Sequence, residues 1–446
     1  MRNNFLSRWL NRMGRSQPVK LLLWGYFTYV FITWLLLCLP FTWKMDSVSP
    51  LDNLFIATSA VSTTGLVTVN TPDAYNFWGQ FIIMCAFQVG GLGYMTLGSF
   101  ILIATKNSLP YLHRRVGSSV FALPEGFNLK LFLRHTVIFT LIIEAIGIIS
   151  LYISFANAEV DNAFWAATFH SISAFCTAGF SIFPNSLEDF SADFGVNLTV
   201  TILSILGAIG FLVISDIWQS FRGQKRGVTF TTRIIIVFTA CLLLLGFILL
   251  LFFDTALATL PWGERILTTW FQGMTALTTV GFNTYPIGEI SAFGVLLIVI
   301  LMIVGASPSG TGGGLKSTAI SAALAVMWSS LRGHRSASFF GVKIPENRVL
   351  TAFSAFVFYL LAFLIGSSLL LILQNQAFED IIFEAASALG TVGLSRGITG
   401  DLTAAGKWVT IVLMFIGRVG ALSFGVALFT RESPATVVEV EEDLAI

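Results

Sequence analysis

The sequence predicts an all-α membrane protein of four helix–pore-loop–helix repeats around one central pore. Three observations predict it. Of 446 residues, 55% are hydrophobic and 11% charged, against roughly 25% charged in a soluble domain. Lys and Arg are divided very unequally between the segments that join the apolar runs. A twelve-residue string occurs four times. The composition excludes a soluble enzyme and a disordered chain, and a formal net charge of +1 gives no basic excess for nucleic acid.

Uncharged runs of about 20 residues, enough to cross a ~30 Å hydrocarbon core, predict eight crossing helices, at approximately 20–40, 78–104, 133–156, 196–216, 233–253, 291–329, 350–374 and 404–430. The first follows five positive charges and has no A-x-A-like cleavage site, so it reads as a retained helix. The sixth is too long and is interrupted. Cys38, Cys85, Cys176 and Cys241 lie in apolar stretches and never form CxxC, so they read as small core residues.

Nineteen of the 25 Lys and Arg fall in the N-terminus, in the three linkers between helix pairs and at Arg431. The opposite side has Lys44, Arg265, Arg396 and Lys407. By the positive-inside rule the linkers and both termini are cytoplasmic. The outer loops are acidic, which concentrates cations at a mouth.

Between the helices of each pair lie FIATSAVSTTGL (55–66), FHSISAFCTAGF (169–180), FQGMTALTTVGF (271–282) and FEAASALGTVGL (383–394). The shared pattern is F-x3-[ST]-A-x2-T-x-G-[LF]. Four copies in register mark one structural unit repeated, dividing the chain into 1–104, 105–218, 219–330 and 331–446, the last with an acidic tail. Each copy reads as a short helix entering the membrane and a loop returning from it. Such backbone at membrane depth is tolerable only in protein or beside water. The loops Thr63-Thr64-Gly65, Thr177-Ala178-Gly179, Thr279-Val280-Gly281 and Thr391-Val392-Gly393 are the candidate ion filter. Glycine admits dihedrals that turn a carbonyl toward the axis, and rings of carbonyls replace a cation's water shell. No carboxylate sits in these loops, and neutral oxygens suit a large monovalent ion, so potassium is the expected substrate.

Two features inside the apolar segments stand apart. GASPSGTGGGLKST (305–318) cannot continue a straight helix, and its small polar residues suit a hydrated passage. Gly305, Ala306, Ser307, Pro308, Ser309, Gly310, Thr311, Gly312, Gly313, Gly314 and Lys316 are therefore candidate gate residues. This stretch nearly fits a P-loop, but Leu315 replaces the final glycine and a membrane helix precedes it, so nucleotide binding is rejected. Lys316 reads as snorkelling to the cytoplasm. Arg418, midway along the last helix, must face the interior and find acceptors, with the loop carbonyls as the expected ones. Glu144 has no evident partner and reads as a packed carboxyl, with a proton-relay or sodium site as the rival; His170 reads as structural.

At the four T-x-G strings and the interrupted helix, the sequence resembles the Trk/Ktr/HKT superfamily of potassium transporters over essentially the whole chain. With no extra helix pair before the first repeat, it is similar to the Ktr membrane subunits in particular. The resemblance implies that only glycine persists from the TVGYG filter of channels, that glycine in all four repeats goes with potassium selectivity, and that the 305–318 loop and Arg418 form a gate below the filter. It further implies a homodimer, a cytoplasmic nucleotide-binding regulatory ring, sodium as an activator and placement in the cytoplasmic membrane among its lipids. No organic cofactor on this chain, no catalytic constellation and no nucleic-acid partner are expected. The alternatives are a Trk-like or sodium-permeable HKT-like transporter, and a secondary solute carrier, which would show inverted repeats and matched helix breaks.

Overall fold

The structure is a computed structural model that describes residues 18–44, 47–93, 129–223, 227–334 and 336–420. Its helices follow the fourfold period of the sequence. The first helices of the repeats are α1 (Pro18–Leu37), α4 (Leu129–Asn157), α8 (Phe230–Phe253) and α12 (Glu346–Leu373). The short entering helices are α2 (Pro50–Val61), α5 (Ala163–Phe175), α9 (Trp262–Thr278) and α13 (Phe378–Gly390). The second helices are α3 (Phe77–Leu92), α6 (Phe194–Ile209) with α7 (Phe211–Phe221), α10 (Ala292–Ile303) with α11 (Ser317–Leu331), and α14 (Ala404–Val419). A two-stranded antiparallel ribbon, β1 (Ser338–Phe339) and β2 (Val342–Lys343), joins α11 to α12.

The entering helices have 12 to 17 residues, which at 1.5 Å per residue is about 18–26 Å and short of a full crossing. Local chemistry starts them where a sharp entry is needed. Ser49 caps α2 by accepting the Asp52 N–H, and Pro50 takes the first turn, where its missing N–H costs nothing.

Each entering helix packs between the two long helices of its own repeat. Each second helix also packs on the entering helix of the next repeat: α3 on α5, α6 on α9, α10 on α13, and α14 back on α2. The chain therefore closes on itself as a ring. The repeated Phe55, Phe169, Phe271 and Phe383, and Ala60, Ala174, Ala276 and Ala388, are all fully buried. Burying a phenylalanine stabilises by about 1.5–3 kcal/mol, and the alanines allow the close helix crossings that the ring requires.

Among the described residues, three helices are long and apolar enough to cross a membrane, within α4, α8 and α12. The expectation that the sixth helix alone is interrupted needs correction. α6 and α7 meet at Gly210 with a bend of 93°. α3 stops at Gly93 and α14 at Gly420, and these three glycines share the same φ region, +81° to +96°. The second helices of repeats 1, 2 and 4 thus each end at a glycine of the same backbone conformation, and that of repeat 3 ends at Val304. Hydropathy cannot register this, because one glycine barely changes a window average. The predicted ends of the 78–104 and 404–430 helices lie outside the described residues.

Candidate functional site

The four T-x-G loops, far apart in sequence, meet at one place. A Cβ built on Gly65 would lie 2.6 Å from the Ala178 carbonyl oxygen and 3.1 Å from the Gly179 Cα. Gly179 abuts Val280 O and Gly281, Gly281 abuts Val392 O and Gly393, and Gly393 abuts Thr64 O and Gly65. The ring is closed in chain order. Every glycine has φ between +66° and +100°, so any side chain would meet both a forbidden dihedral and a neighbouring loop.

Each entering helix ends alike. Thr63, Thr177, Thr279 and Thr391 all have left-handed backbone, φ +49° to +60°. The next residue then donates its N–H back to the helix: Thr64 to Ser59 O (2.8 Å), Ala178 to Ser173 O (2.9 Å), Val280 to Thr275 O (3.2 Å) and Val392 to Ser387 O (2.8 Å). This is a Schellman-type ending with threonine where glycine is usual. Because these amides face the helix, the carbonyls of the same residues are the groups that crowd the neighbouring glycines.

The repeated [ST] position acts behind the loops in two ways. In repeats 1 and 4, Ser59 Oγ and Ser387 Oγ accept from the N–H of Gly65 (3.1 Å) and Gly393 (3.0 Å). In repeats 2 and 3, Ser173 Oγ and Thr275 Oγ1 donate to Phe180 O (2.9 Å) and Phe282 O (2.7 Å). The division follows Leu against Phe after the glycine. The residue after each repeated Phe ties down the outgoing chain in three repeats. His170 Nε2 meets Ser181 Oγ at 2.9 Å, Glu384 accepts from Ser395 (2.8 Å) and Thr399 (2.5 Å), and Gln272 accepts from the Thr284 and Tyr285 amides. Ile56 offers no such tie. Sequence reading missed these roles, although the hydroxyl recurrence was their signal.

Directly inside the threonine ring lies the 304–316 loop. Thr311 Oγ1 is 3.1 Å from Thr177 Oγ1 and donates to Phe175 O, while Thr63 Oγ1 donates to Thr311 O at 3.3 Å. A Cβ on Gly312 would strike Thr279 Oγ1, and one on Gly313 would strike Thr391 Oγ1. Three consecutive loop residues therefore touch all four threonines. The loop's backbone is pinned to the break of repeat 2 through Ser307 N–H to Ala208 O (3.1 Å), Thr311 N–H to Gly207 O (3.0 Å) and Phe211 N–H to Ser309 O (3.1 Å). Ala306 is buried, Gly305 and Gly314 lie against each other, and Ser307 and Ser317 hydroxyls meet at 3.2 Å. The Gly310 backbone sits against Ala208 O, and Pro308 O against Gly210.

Arg418 finds an acceptor for each of its donors. Nη1 reaches Thr311 O and Thr63 Oγ1 (2.9 Å), Nη2 reaches Gly90 O and Gly91 O (3.3 Å), and Nε reaches the Tyr26 hydroxyl (3.3 Å). The end of α3 at Gly93 leaves its last carbonyls without helical partners, and the guanidinium caps them. Lys316 departs from its expected position: Nζ curls back onto Gly312 O (2.7 Å) rather than extending away. Glu144 does have a partner, accepting from Gln88 Nε2 at 3.0 Å, while Cys176 donates to Gln88 Oε1 at 3.0 Å. His170 is fully buried between Ala166 O and Ser181. Among the described residues no cluster of three or more His, Cys, Asp or Glu could hold a metal ion.

The four predicted outer cations are all engaged. Arg396 pairs with Asp380 (2.5 Å) and Glu379 (3.1 Å), Lys407 pairs with Asp52 (2.6 Å), Lys44 donates to Pro72 O (3.1 Å), and Arg265 donates to Leu251 O. Glu188, beside Asn283, is held above the usual carboxylate range by burial and by Asp189 and Glu289.

The sequence model of the cation transport protein family TrkH matches residues 26–437. The chain is 32% identical to the Ktr system potassium uptake protein B of Vibrio alginolyticus, covering 92% of this chain and 90% of that one. It is 34% identical to the potassium/sodium uptake protein NtpJ of Enterococcus hirae, over 94% and 95%. Its fold matches the crystal structure of the potassium transporter TrkH from Vibrio parahaemolyticus, with TM-score 0.68 and 21% identity over 91% of this chain and 84% of that one.

Proposed function

The chain belongs to the TrkH family of cation transport proteins, and from that membership we propose that it is the ion-translocating subunit of a Ktr-type potassium uptake system. The observation that carries this reading is the closed ring of four T-x-G loops. A dehydrated monovalent cation passing along the axis exchanges water for the carbonyl oxygens of Thr64, Ala178, Val280 and Val392 and their glycine neighbours, and for the threonine hydroxyls beneath. The entering helices end at the ring, so their C-terminal partial negative charge favours a cation there.

The loop from Gly305 to Lys316 is the gate, and its contact with all four threonines is the closed arrangement. Arg418 latches it by joining Thr311 to the end of α3. Transport is passive, and its inward direction comes from the membrane potential, worth about 2.3 kcal/mol per charge at 100 mV. The excess of Lys and Arg on the linkers supports placement in the cytoplasmic membrane with both termini inside. The relatives named as Ktr system proteins support a regulatory partner, with a nucleotide-binding ring and a homodimer as the assembly. The relative named for potassium and sodium supports sodium as a second ion. The chain itself is a transporter and not an enzyme.

The test is rubidium and sodium flux into proteoliposomes of the purified chain, with Gly281→Ser and Arg418→Gln variants. Gly281→Ser lowers the preference for rubidium over sodium, because the new side chain strikes Val392 O and Gly393. Arg418→Gln loosens the latch, raising flux about tenfold for each ~1.4 kcal/mol taken off the barrier, with preference unchanged. An ion preference untouched by Gly281→Ser would remove the filter assignment.

A further inference from the structure

A second internal repeat lies outside the ring and has no part in it. Ile217–Gly223 reads IWQSFRG and Met327–Gly333 reads MWSSLRG, sharing W-x-S-[FL]-R-G. The two segments end α7 and α11 and fold identically. Arg222 N–H bonds Trp218 O and Gly223 N–H bonds Ser220 O, both at 3.1 Å, and Arg332 and Gly333 do the same with Trp328 O (3.2 Å) and Ser330 O (3.0 Å). Both glycines are left-handed, φ +69° and +73°. The guanidinium then folds over its own tryptophan, 4.7 Å from the ring centre at Trp218 and 4.6 Å at Trp328.

What these ends present is unusual for a surface in water. Trp218 and Trp328 are 55% and 54% exposed, and beside them Phe221 and Leu331 are 86% and 75% exposed. α7 turns 93° from α6, so where α6 crosses the membrane α7 runs along its face. The neighbourhood is basic. Arg233 stacks over Phe340 of the ribbon at 4.7 Å, and Lys343 and Arg348 follow. Among the described residues here, the acids are Asp216, which is buried and accepts the Thr229 N–H (2.6 Å), and Glu346, 3.6 Å from Lys343.

A tryptophan, a stacked guanidinium and an adjacent apolar tip match the three layers of one amphiphile: interface, phosphate and acyl chain. Tryptophan prefers the headgroup level, and arginine forks onto phosphate oxygens. Basic groups near the cytoplasmic leaflet are attracted to its anionic lipids. We infer that the two W-x-S-[FL]-R-G helix ends are binding sites for the headgroups of anionic phospholipids, one on each of repeats 2 and 3. The sites anchor the far ends of the two helices whose near ends carry the Gly210 hinge and the gate loop.

The test uses the full-length chain and phosphatidylglycerol, with phosphatidylcholine as the neutral comparison, and counts retained lipid by native mass spectrometry. This readout needs no ion flux, so it stands apart from the transport reading. Arg222→Gln with Arg332→Gln weakens phosphatidylglycerol retention about fivefold per arginine and leaves phosphatidylcholine unchanged. Arg222→Lys with Arg332→Lys restores most of the loss, which a folding defect would not do. Equal retention by wild type and the Gln variant overturns the inference, as does an equal loss of both lipids. Unchanged lipid with loss of self-association identifies the face as a contact between copies. Unchanged lipid with loss of a co-purifying cytoplasmic protein identifies a protein docking surface; either result also overturns the lipid site.

Discussion

Threonine is a poor residue for left-handed backbone, because its branched Cβ crowds the preceding carbonyl. Four of them in that conformation, one per repeat, store strain of about 1–3 kcal/mol each. The hydroxyls explain why glycine does not replace them. Thr63 and Thr177 use theirs on the loop at Thr311, whereas Thr279 Oγ1 and Thr391 Oγ1 are buried without a partner among the described residues. A buried hydroxyl without a partner costs about 1–3 kcal/mol, and a passing cation would satisfy it. Thr391→Gly should therefore raise the melting temperature, by relief of about 1 kcal/mol of strain, while lowering rubidium-over-sodium preference. A variant that melts lower and discriminates as well as wild type would show that the hydroxyl serves packing. The threonines were legible in the sequence as oxygen donors, but their conformation was not. The nearby glycine carried the visible signal of unusual backbone, and nothing local marks Thr391 as left-handed.

At the scale of elements, the second helices cross the ends of the entering helices at one kind of contact. A Cβ on Gly90, Gly207 or Gly417 would run into the carbonyl oxygen of Val61, Phe175 or Leu389 respectively, the same position of three repeats. Three residues later Gly93, Gly210 and Gly420 end the helix. The G-x-x-G spacing is present in all three, yet reading the chain for apolar length passes over it, since each glycine sits within otherwise ordinary membrane sequence. The third repeat was legible because Pro308 and five nearby glycines interrupt the pattern outright. The close approach makes a measurable distinction between glycines. Gly417→Ala should destabilise by about 1–3 kcal/mol through overpacking and lower the melting temperature. Gly263→Ala, at a helical position with nothing within 4 Å, should leave it unchanged or raise it slightly. Equal effects from the two would contradict the crossing geometry.

For the whole molecule, the decisive contact is the one that brings the last repeat back to the first. α14 lies on α2, and Lys407 reaches Asp52 at 2.6 Å across 355 residues of chain. Burial pushes the Asp52 carboxyl up, but hydrogen bonds from Lys407 and Ser49 prevail and hold it below the usual carboxylate range. A carboxyl lowered in the fold stabilises it above the ordinary value of about 3.9 and ceases to as pH falls through the folded-state value. Asp52→Asn should thus lower the melting temperature at pH 7, and the gap from wild type should shrink as the pH is taken down through that range. A gap independent of pH would place the stabilisation elsewhere. The fourfold ring itself was readable from the repeated string, whereas its closure by this pair was not, because no periodicity links residues so distant.

The stretch from Gly305 to Lys316 also constrains how such a machine can be made. It spreads beneath every corner of the ring, so four identical subunits would each bring one to the same spot and collide. Writing the corners as successive chapters of a single polypeptide lets three of them omit the insertion, and leaves a single one beneath the four.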